Sequence, residues 1–159
     1  MTLEQFIQQV RKHEKSFRRF LMALCWGDSA LADDIAQESY IKAYLSIAKL
    51  EHPDKFRFWM FRIGYNTFLT HIRSEKIMRV DYSEIGKTPS DSESDANFKY
   101  QDLHIALSRL PKKIRTTMLL YYMEGYSVKE ISTIVDSSED SIRQHLSRGR
   151  QQLKQILQH

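Results

Sequence analysis

Apolar residues recur at steps of three and four along most of this chain, which is the spacing of one face of an α-helix. The clearest run lies before the midpoint and consists of Phe58, Phe61, Tyr65, Phe68 and Ile72. No strand-like alternation of apolar and polar residues accompanies it, and only 5 Gly and 3 Pro are available for tight turns. The sequence therefore predicts an all-α fold.

Charge divides the 159 residues into three parts. Residues 1–80 hold 13 Lys and Arg against 9 Asp and Glu, and residues 101–159 hold 9 against 6. Residues 81–100 reverse the sign, with 2 against 5, and residues 81–95 are rich in Ser, Asp and Glu. Such a segment has too few apolar side chains to join a core. We expect two small helical domains, at 1–80 and 101–159, joined by a flexible acidic linker at 81–100.

Three long helices are predicted in the first domain. The first begins at a capping box of Thr2 and Gln5 and ends before Gly27. The second spans about 30–49, and the third follows Pro53, which suits a first helical turn. The core positions predicted for the first two helices are Leu3, Phe6, Ile7, Val10, Phe17, Phe20, Leu21, Leu24, Leu31, Ile35, Tyr44 and Leu45.

Four short helices are predicted in the second domain, the third of them opened by a capping box of Ser127 and Glu130. The turn Asp136-Ser137-Ser138 separates that helix from the last one. The predicted core positions are Leu103, Ala106, Leu107, Leu110, Ile114, Met118, Leu119, Tyr122, Ile131, Ile134, Val135, Ile142, Leu146, Leu153 and Ile156. A short helix, a three-residue turn and a longer helix form the signature of a helix-turn-helix.

The last helix is predicted to bind duplex DNA. Its outward face carries Asp140, Arg143, Gln144, Ser147, Arg148 and Gln151, and Arg150 and Lys154 add positive charge. Basic side chains bind phosphate, and Arg and Gln can hydrogen-bond to base edges. The alternative is an ordinary solvated basic face. His145 is interpreted as a flanking or phosphate-contacting residue, since no second metal ligand lies at ligand spacing.

Two faces stand out in the first domain. The second helix carries a stripe of acidic and amide side chains that suits a basic protein partner, although carboxylates are also favoured near any helix N-terminus. The third helix carries a basic, polar flank that could hold a single strand beside aromatic rings, although most of those rings are expected in the core. The stripe is Asp34, Gln37, Glu38 and Ile41, next to Asp33; the flank is Arg62, Asn66, Thr70 and Arg73, with His71 and Lys76 close by.

Nothing in the sequence predicts an enzyme, a cofactor or a metal site. No phosphate-binding Gly-rich loop, zinc-protease motif or nucleophile setting occurs. Cys25 is the only cysteine, which excludes an internal disulfide. The N-terminus does not read as a signal peptide and no long apolar run predicts a membrane span, so a cytoplasmic location is expected.

Four motifs in order resemble bacterial RNA polymerase sigma factors of the sigma-70 family, in the extracytoplasmic-function (ECF) group. These are Ala32-Asp33-Asp34-Ile35-Ala36-Gln37-Glu38; Phe58-Trp59-Met60-Phe61-Arg62-Ile63-Gly64-Tyr65-Asn66; Leu110-Pro111; and Tyr126-Ser127-Val128-Lys129-Glu130-Ile131 with Ile142-Arg143-Gln144-His145-Leu146-Ser147-Arg148-Gly149-Arg150. Residues 6–76 resemble the promoter-melting domain (region 2), and residues 103–157 resemble the helix-turn-helix domain (region 4).

The resemblance implies a role for each part of the chain. Asp33, Asp34, Gln37, Glu38 and Ile41 would dock on the clamp helices of the largest polymerase subunit. The loop from 50 to 55, with Ile63 and Asn66 behind it, would receive a flipped base of the melted −10 element, and the basic flank would hold that strand. The last helix would read the −35 duplex. The acidic linker would run toward the RNA channel, and an anti-sigma protein is an expected partner.

Three positions depart from the family pattern. Asp136 and Ser137 stand where a Gly and an apolar residue are usual in the turn, and Ser132 replaces a customary Ala. Asp tolerates a left-handed backbone better than most residues, so the turn is expected to form. The leading hypothesis is a promoter-specificity subunit of RNA polymerase. Its alternatives are a stand-alone helix-turn-helix regulator and a sigma-like decoy that binds an anti-sigma protein.

Overall fold

Seven α-helices make up most of the computed structural model, which describes residues 1–78 and 98–158. They are α1 (Leu3–Leu24), α2 (Ser29–Leu45), α3 (Phe56–Met78), α4 (Phe98–Ser108), α5 (Lys112–Met118), α6 (Val128–Val135) and α7 (Glu139–Leu157). Short 3-10 turns occupy Ile47–Lys49 and Pro53–Lys55, and a π-helical turn, Leu119–Met123, extends α5. The described residues contain no β-strand, and the predicted all-α class is confirmed.

Helices α1 to α3 pack against one another as a first lobe with an aromatic core. Phe17, Phe20 and Phe61 are almost wholly buried, and their rings lie 5.0–5.5 Å apart between centroids. The expected capping box is present, with Gln5 N–H donating to Thr2 Oγ1 and Thr2 N–H donating to Gln5 Oε1. Four core predictions were wrong, because these side chains are exposed on the outer faces of α1 and α2: Leu3, Ile7, Tyr44 and Leu45.

Helices α4 to α7 form a second lobe, in which α6 and α7 are the predicted helix-turn-helix. Both capping interactions of Ser127 with Glu130 are present, and Ser138 caps α7 by accepting from the Ser141 N–H. Asp136 has the left-handed backbone that the turn requires, at φ 54°. Leu103 and Tyr122 were predicted in the core but are exposed.

The second lobe begins earlier than the sequence suggested, because α4 starts at Phe98 rather than near residue 101. Residues 81–97 of the predicted acidic linker lie outside the described residues. The second predicted helix is shorter than expected, since α2 ends at Leu45 and a 3-10 turn follows. Among described residues, no helix has the length and apolar character needed to cross a bilayer.

The two lobes contact each other, and their buried side chains form one continuous cluster. The interlobe interface joins α1 and α3 to α5, the π-helical turn and α6. Phe58 lies here rather than in the core of its own lobe, half-buried with its ring centroid 6.2 Å from that of Tyr126. The first lobe thus presents an aromatic face to the second.

Candidate nucleic-acid interface

The outward face of α7 is accessible in the way that the helix-turn-helix prediction requires. Its six predicted DNA-contacting residues are exposed: Asp140, Arg143, Gln144, Ser147, Arg148 and Arg150. Arg143 Nη1 lies 3.1 Å from Asp140 Oδ1, and its Nη2 lies 3.7 Å from Glu139 Oε1. These two intrahelical ion pairs are exposed and weak, and the five N–H donors of the Arg143 guanidinium leave others free for a base or phosphate contact.

Buried residues hold α7 at a set position against its neighbours. Ile142 and Leu146 face Ile131 and Ile134 of α6 in the core. Gly149 lets α7 approach α5 closely, because a Cβ at this position would lie 2.6 Å from Met118 Sδ. The outward face of α7 is thereby presented on a braced helix, as DNA reading in a groove requires.

Two further side chains of α7 contact the same neighbours. Arg150 Nη1 donates to Tyr122 Oη at 3.1 Å, which places the exposed Tyr122 ring beside the basic face. His145 is half-buried, with Nδ1 3.4 Å from Thr117 Oγ1. Burial, together with the nearby charges of Lys113 and Arg148, lowers the pKa of His145 below its usual value.

The polar flank of α3 forms a second accessible face on the first lobe. Arg62, Asn66, Thr70 and Arg73 are exposed, and Thr70 Oγ1 donates to the Asn66 carbonyl at 3.0 Å. Ile63 is half-buried beside them. Lys76 belongs to the helix, but its side chain is outside the described part of the chain. The exposed groups are donors that can bind phosphate oxygens along a strand.

The loop predicted to receive a flipped base lies at the N-terminal end of α3. Leu50 is half-buried and residues 51–55 are exposed, with the Lys55 N–H donating to the His52 carbonyl in a 3-10 turn. Trp59 of α3 is half-buried with its ring centroid 5.9 Å from that of Phe56. Trp59 therefore supports the base of this loop and packs against the core.

The acidic stripe on α2 is accessible but not wholly unpaired. Asp34, Gln37 and Ile41 are exposed. Asp33 Oδ1 lies 3.3 Å from Arg18 Nη2, in an ion pair that is half open to solvent.

Glu38 connects the stripe to α3. Its Oε2 is 2.6 Å from His71 Nε2, and its Oε1 is 3.3 Å from Lys42 Nζ. The hydrogen bond from His71, aided by Lys42, lowers the pKa of the Glu38 carboxyl against the opposing effect of burial. The stripe therefore contacts α3 through His71, which follows Thr70 of the basic flank in the sequence.

Sequence reasoning missed the charged residues of the interlobe interface. Arg57 and Arg19 of the first lobe converge on Glu124 of the second, and Arg115 lies almost fully buried against α1. Helical periodicity assigned none of these residues a role. Their partners are 67 to 105 positions away along the chain, so no local pattern could have indicated them.

Comparison with known proteins assigns each lobe to a region of one protein family. Residues 9–77 match the family model for sigma-70 region 2, and residues 100–153 match that for sigma-70 region 4. The chain is 28% identical to the ECF RNA polymerase sigma factor SigM of Bacillus subtilis, over 98% of this chain and 95% of that protein. It is 27% identical to the ECF sigma factor SigW of the same organism, over 99% of this chain and 97% of SigW.

A solved structure has the same fold. The sigma factor RpoE of Bartonella quintana, crystallised with the anti-sigma factor NepR, superposes with a TM-score of 0.83 at 23% identity, over 98% of each chain. Both lobes, the order of the helices and the sequence relatives agree. The chain belongs to the sigma-70 family of RNA polymerase sigma factors, in its extracytoplasmic-function group.

Proposed function

We propose that this chain is a dissociable initiation subunit that directs core RNA polymerase to promoters through contacts by both lobes. The observation that carries the proposal is the presence, in one chain, of two exposed basic helix faces on separate lobes and one exposed acidic stripe. Two DNA-facing surfaces suit a promoter with two elements. A stand-alone helix-turn-helix regulator would not need the region 2 lobe or its stripe.

In this proposal the second lobe reads duplex DNA. Helix α7 enters the major groove of the −35 element, with Arg143, Gln144 and Arg148 placed to reach base edges and Arg150 placed to reach phosphate. Arg and Gln are suited to paired hydrogen bonds with guanine and adenine respectively. Ser147 and Asp140 complete the face, Asp140 by orienting Arg143 through the 3.1 Å contact between them.

The first lobe binds the melted strand. The flank of α3 holds the phosphates of the −10 element, and the exposed loop at 51–55 receives an unstacked base, with Ile63 and Asn66 behind it. Unstacking a base costs a few kcal/mol, so this step needs both the loop and the phosphate contacts. Lys76, further along the same helix, is assigned to the same strand.

The acidic stripe docks the subunit on polymerase. Asp33, Asp34, Gln37, Glu38 and Ile41 offer carboxylates, an amide and one exposed apolar side chain to the clamp helices of the largest subunit. In this proposal polymerase supplies all of the chemistry, and the chain contributes binding surfaces alone. It acts where polymerase acts, in the cytoplasm. Because the sigma factor RpoE was crystallised with an anti-sigma factor, we propose that this chain too is held inactive by such a partner.

In vitro transcription tests this function. Core polymerase, with and without the full chain, is given fragmented genomic DNA, and the 5′ ends of the transcripts are sequenced. We expect a set of start sites that require the chain and share two upstream elements. Transcripts identical to those of core polymerase alone would end the proposal.

Matched variants separate the two roles. Asp34→Ala with Glu38→Ala should weaken binding to core polymerase, whereas Glu14→Ala, an exposed acid on α1, should not. Arg150→Ala should leave polymerase binding intact and weaken promoter binding, with a salt slope smaller by about 1 because one phosphate contact is lost. Equal polymerase binding by all of these variants would show that the stripe is a solvated face.

A further inference from the structure

The interlobe interface is centred on a carboxylate that is buried between the lobes. Glu124 ends the π-helical turn of the second lobe, and its side chain is only 1% exposed. Arg19 donates to both carboxylate oxygens, from Nη2 at 2.7 Å and from Nε at 3.1 Å. Arg57 donates from Nη2 to Oε1 at 3.0 Å and from Nη1 to the Glu124 carbonyl at 3.3 Å. Both arginines belong to the first lobe.

Aromatic rings from both lobes surround this ion cluster. The Arg57 guanidinium lies 4.5 Å from the ring centroid of Phe61 and 4.8 Å from that of Tyr126. Tyr126 also packs edge-on against Phe61, at 5.5 Å between centroids. These contacts shield the Glu124 carboxylate from water, whereas the Arg19 side chain stays half exposed. Charge-assisted hydrogen bonds are strongest where water is excluded.

A second contact between the lobes buries a charge with few partners. Arg115 of α5 is 2% exposed and donates from Nη2 to the Leu24 carbonyl at 2.8 Å. Its guanidinium lies 4.3 Å from the Trp26 ring, while its Nε has no hydrogen-bond acceptor among the described residues. Burial lowers the pKa of Arg115 to about 10. Opening the lobes would return this group to water and remove that desolvation cost, but it would also break the hydrogen bond to Leu24 and the contact with Trp26.

The loop that receives Arg115 is strained. Trp26 has φ 54°, a conformation that costs free energy for a bulky residue, and Gly27 follows at φ 82°. This turn places the indole ring between Arg115 and Phe68, whose ring centroid lies 6.1 Å away. The interface therefore combines strong ion pairs at Glu124 with the desolvation cost of the buried Arg115 charge. Such a balance suits a contact that forms and breaks.

The closed arrangement cannot reach both elements of a promoter. The −10 and −35 elements are named for their positions upstream of the transcription start, which are about 25 base pairs apart. At 3.4 Å per base pair this is roughly 85 Å of duplex. A compact chain of 159 residues has a radius of gyration of about 15 Å and is about 40 Å across. The basic faces of α3 and α7 and the acidic stripe are all exposed in this arrangement. The interface limits how far apart the two faces can be and leaves both uncovered.

We propose that the Glu124 ion cluster is a latch that holds the lobes together in the free chain and must open before both promoter elements can be bound. The latch rests on the proposed function, since its consequence is measured at a two-element promoter. The latch limits only the distance between the two DNA-binding faces, so the first lobe can dock on polymerase while the latch is closed. Opening then follows docking and frees the second lobe to reach the −35 element.

Small-angle X-ray scattering of the free full-length chain tests the latch. Glu124→Gln removes the charge and keeps the shape, and Arg19→Ala removes one donor whose own side chain is half exposed, so neither change removes a core side chain. We expect both variants to have a larger radius of gyration than the wild type, with unchanged helical circular dichroism. The matched controls Glu14→Gln and Lys15→Ala, exposed on α1, should match the wild type.

Transcription with core polymerase from a two-element promoter provides the second readout. At limiting concentrations of the chain, Glu124→Gln should raise initiation on the order of tenfold, because loss of a charge-assisted hydrogen bond shifts the closed-to-open ratio by about that factor or more. An unchanged radius of gyration in both latch variants, or an already extended wild type, would overturn the latch. If the wild type gives no initiation while the variants still expand, the proposed function fails and the latch stands.

Discussion

The two lobes obtain their stability in different ways, although both are small helical bundles. The first consists of three long helices around stacked and edge-on phenylalanine rings. In the second, α6 and α7 are fixed by caps at Ser127 and Ser138, and the close approach of α7 to α5 depends on Gly149. Large apolar side chains stabilise by buried area, whereas caps and close helix contacts stabilise by local geometry. The lobe with the larger buried rings should therefore tolerate cap changes better than ring truncation.

The largest effect is expected from Phe68→Ala in the first lobe. Phe68 is fully buried beside Tyr65 and Trp26, and truncating a buried Phe costs about 3–5 kcal/mol through lost transfer free energy and the cavity left behind. Urea unfolding followed by tryptophan fluorescence measures it, since Trp26 and Trp59 both lie in this lobe. Leu45→Ala, at a side chain that is 78% exposed, is the control. A decrease in the free energy of unfolding of less than about 1 kcal/mol would contradict the conclusion that buried rings stabilise this lobe.

A smaller effect is expected where glycines allow close contact in each lobe. A Cβ at Gly64 would lie 2.5 Å from Phe17 Cε1, and one at Gly149 would lie 2.6 Å from Met118 Sδ. Gly64→Ala should cost about 1–3 kcal/mol because a buried ring cannot move aside. Gly149→Ala should cost less, because a thioether can rotate. Thermal unfolding compares the two, with Gln151→Ala as the exposed control on α7; the reverse order would contradict this explanation.

The next effect concerns the capping boxes that begin α6 and α1. Ser127→Ala should cost about 1 kcal/mol, because α6 has only eight residues and this helix supports α7. Thr2→Ala should cost less than half as much, since the start of α1 can fray without disturbing the core of its lobe. Amide hydrogen exchange in α6 and α1 measures both. Equal losses would mean that helix length does not decide the value of the cap.

The smallest effect expected is a pH dependence of the folded chain's stability, to which one histidine in each lobe contributes. Burial lowers the pKa of His13 in the first lobe, aided by the charges of Lys12 and Arg57, and that of His145 in the second. The unfolded chain therefore protonates first, and stability present above about pH 6.5 should fall as the pH drops through that value. His13→Gln and His145→Gln should each flatten the dependence of the unfolding midpoint between pH 7.5 and 5.5. An unfolding midpoint that rises as the pH falls would contradict this prediction.

Local patterns predicted the elements of this fold well. The capping boxes at Thr2 and Ser127, the left-handed turn at Asp136 and the outward face of α7 all occupy the predicted places. Each depends on contacts within four residues or on helical periodicity. The predicted docking stripe and basic flank are exposed, as their roles require, but their assignment to polymerase and to the −10 strand stays a prediction.

Burial was harder to predict than helices. Leu3, Ile7 and Leu45 follow the apolar pattern of their helices and are nevertheless exposed, since a helix of the first lobe has neighbours on only part of its surface. Phe58 follows the same pattern and packs against the other lobe. Periodicity identifies an apolar face but does not identify the helix that covers it.

By itself, the sequence determined the all-α class, the capped starts of α1, α6 and α7, the helix-turn-helix and the family resemblance, because these depend on neighbours along the chain. Only the tertiary structure decided that Arg19 and Arg57 meet Glu124 and that Arg115 is buried against Leu24 and Trp26. Ion pairs between residues more than sixty positions apart form where packing brings two helices together. A charged residue has the same appearance in the sequence whether it is solvated or buried.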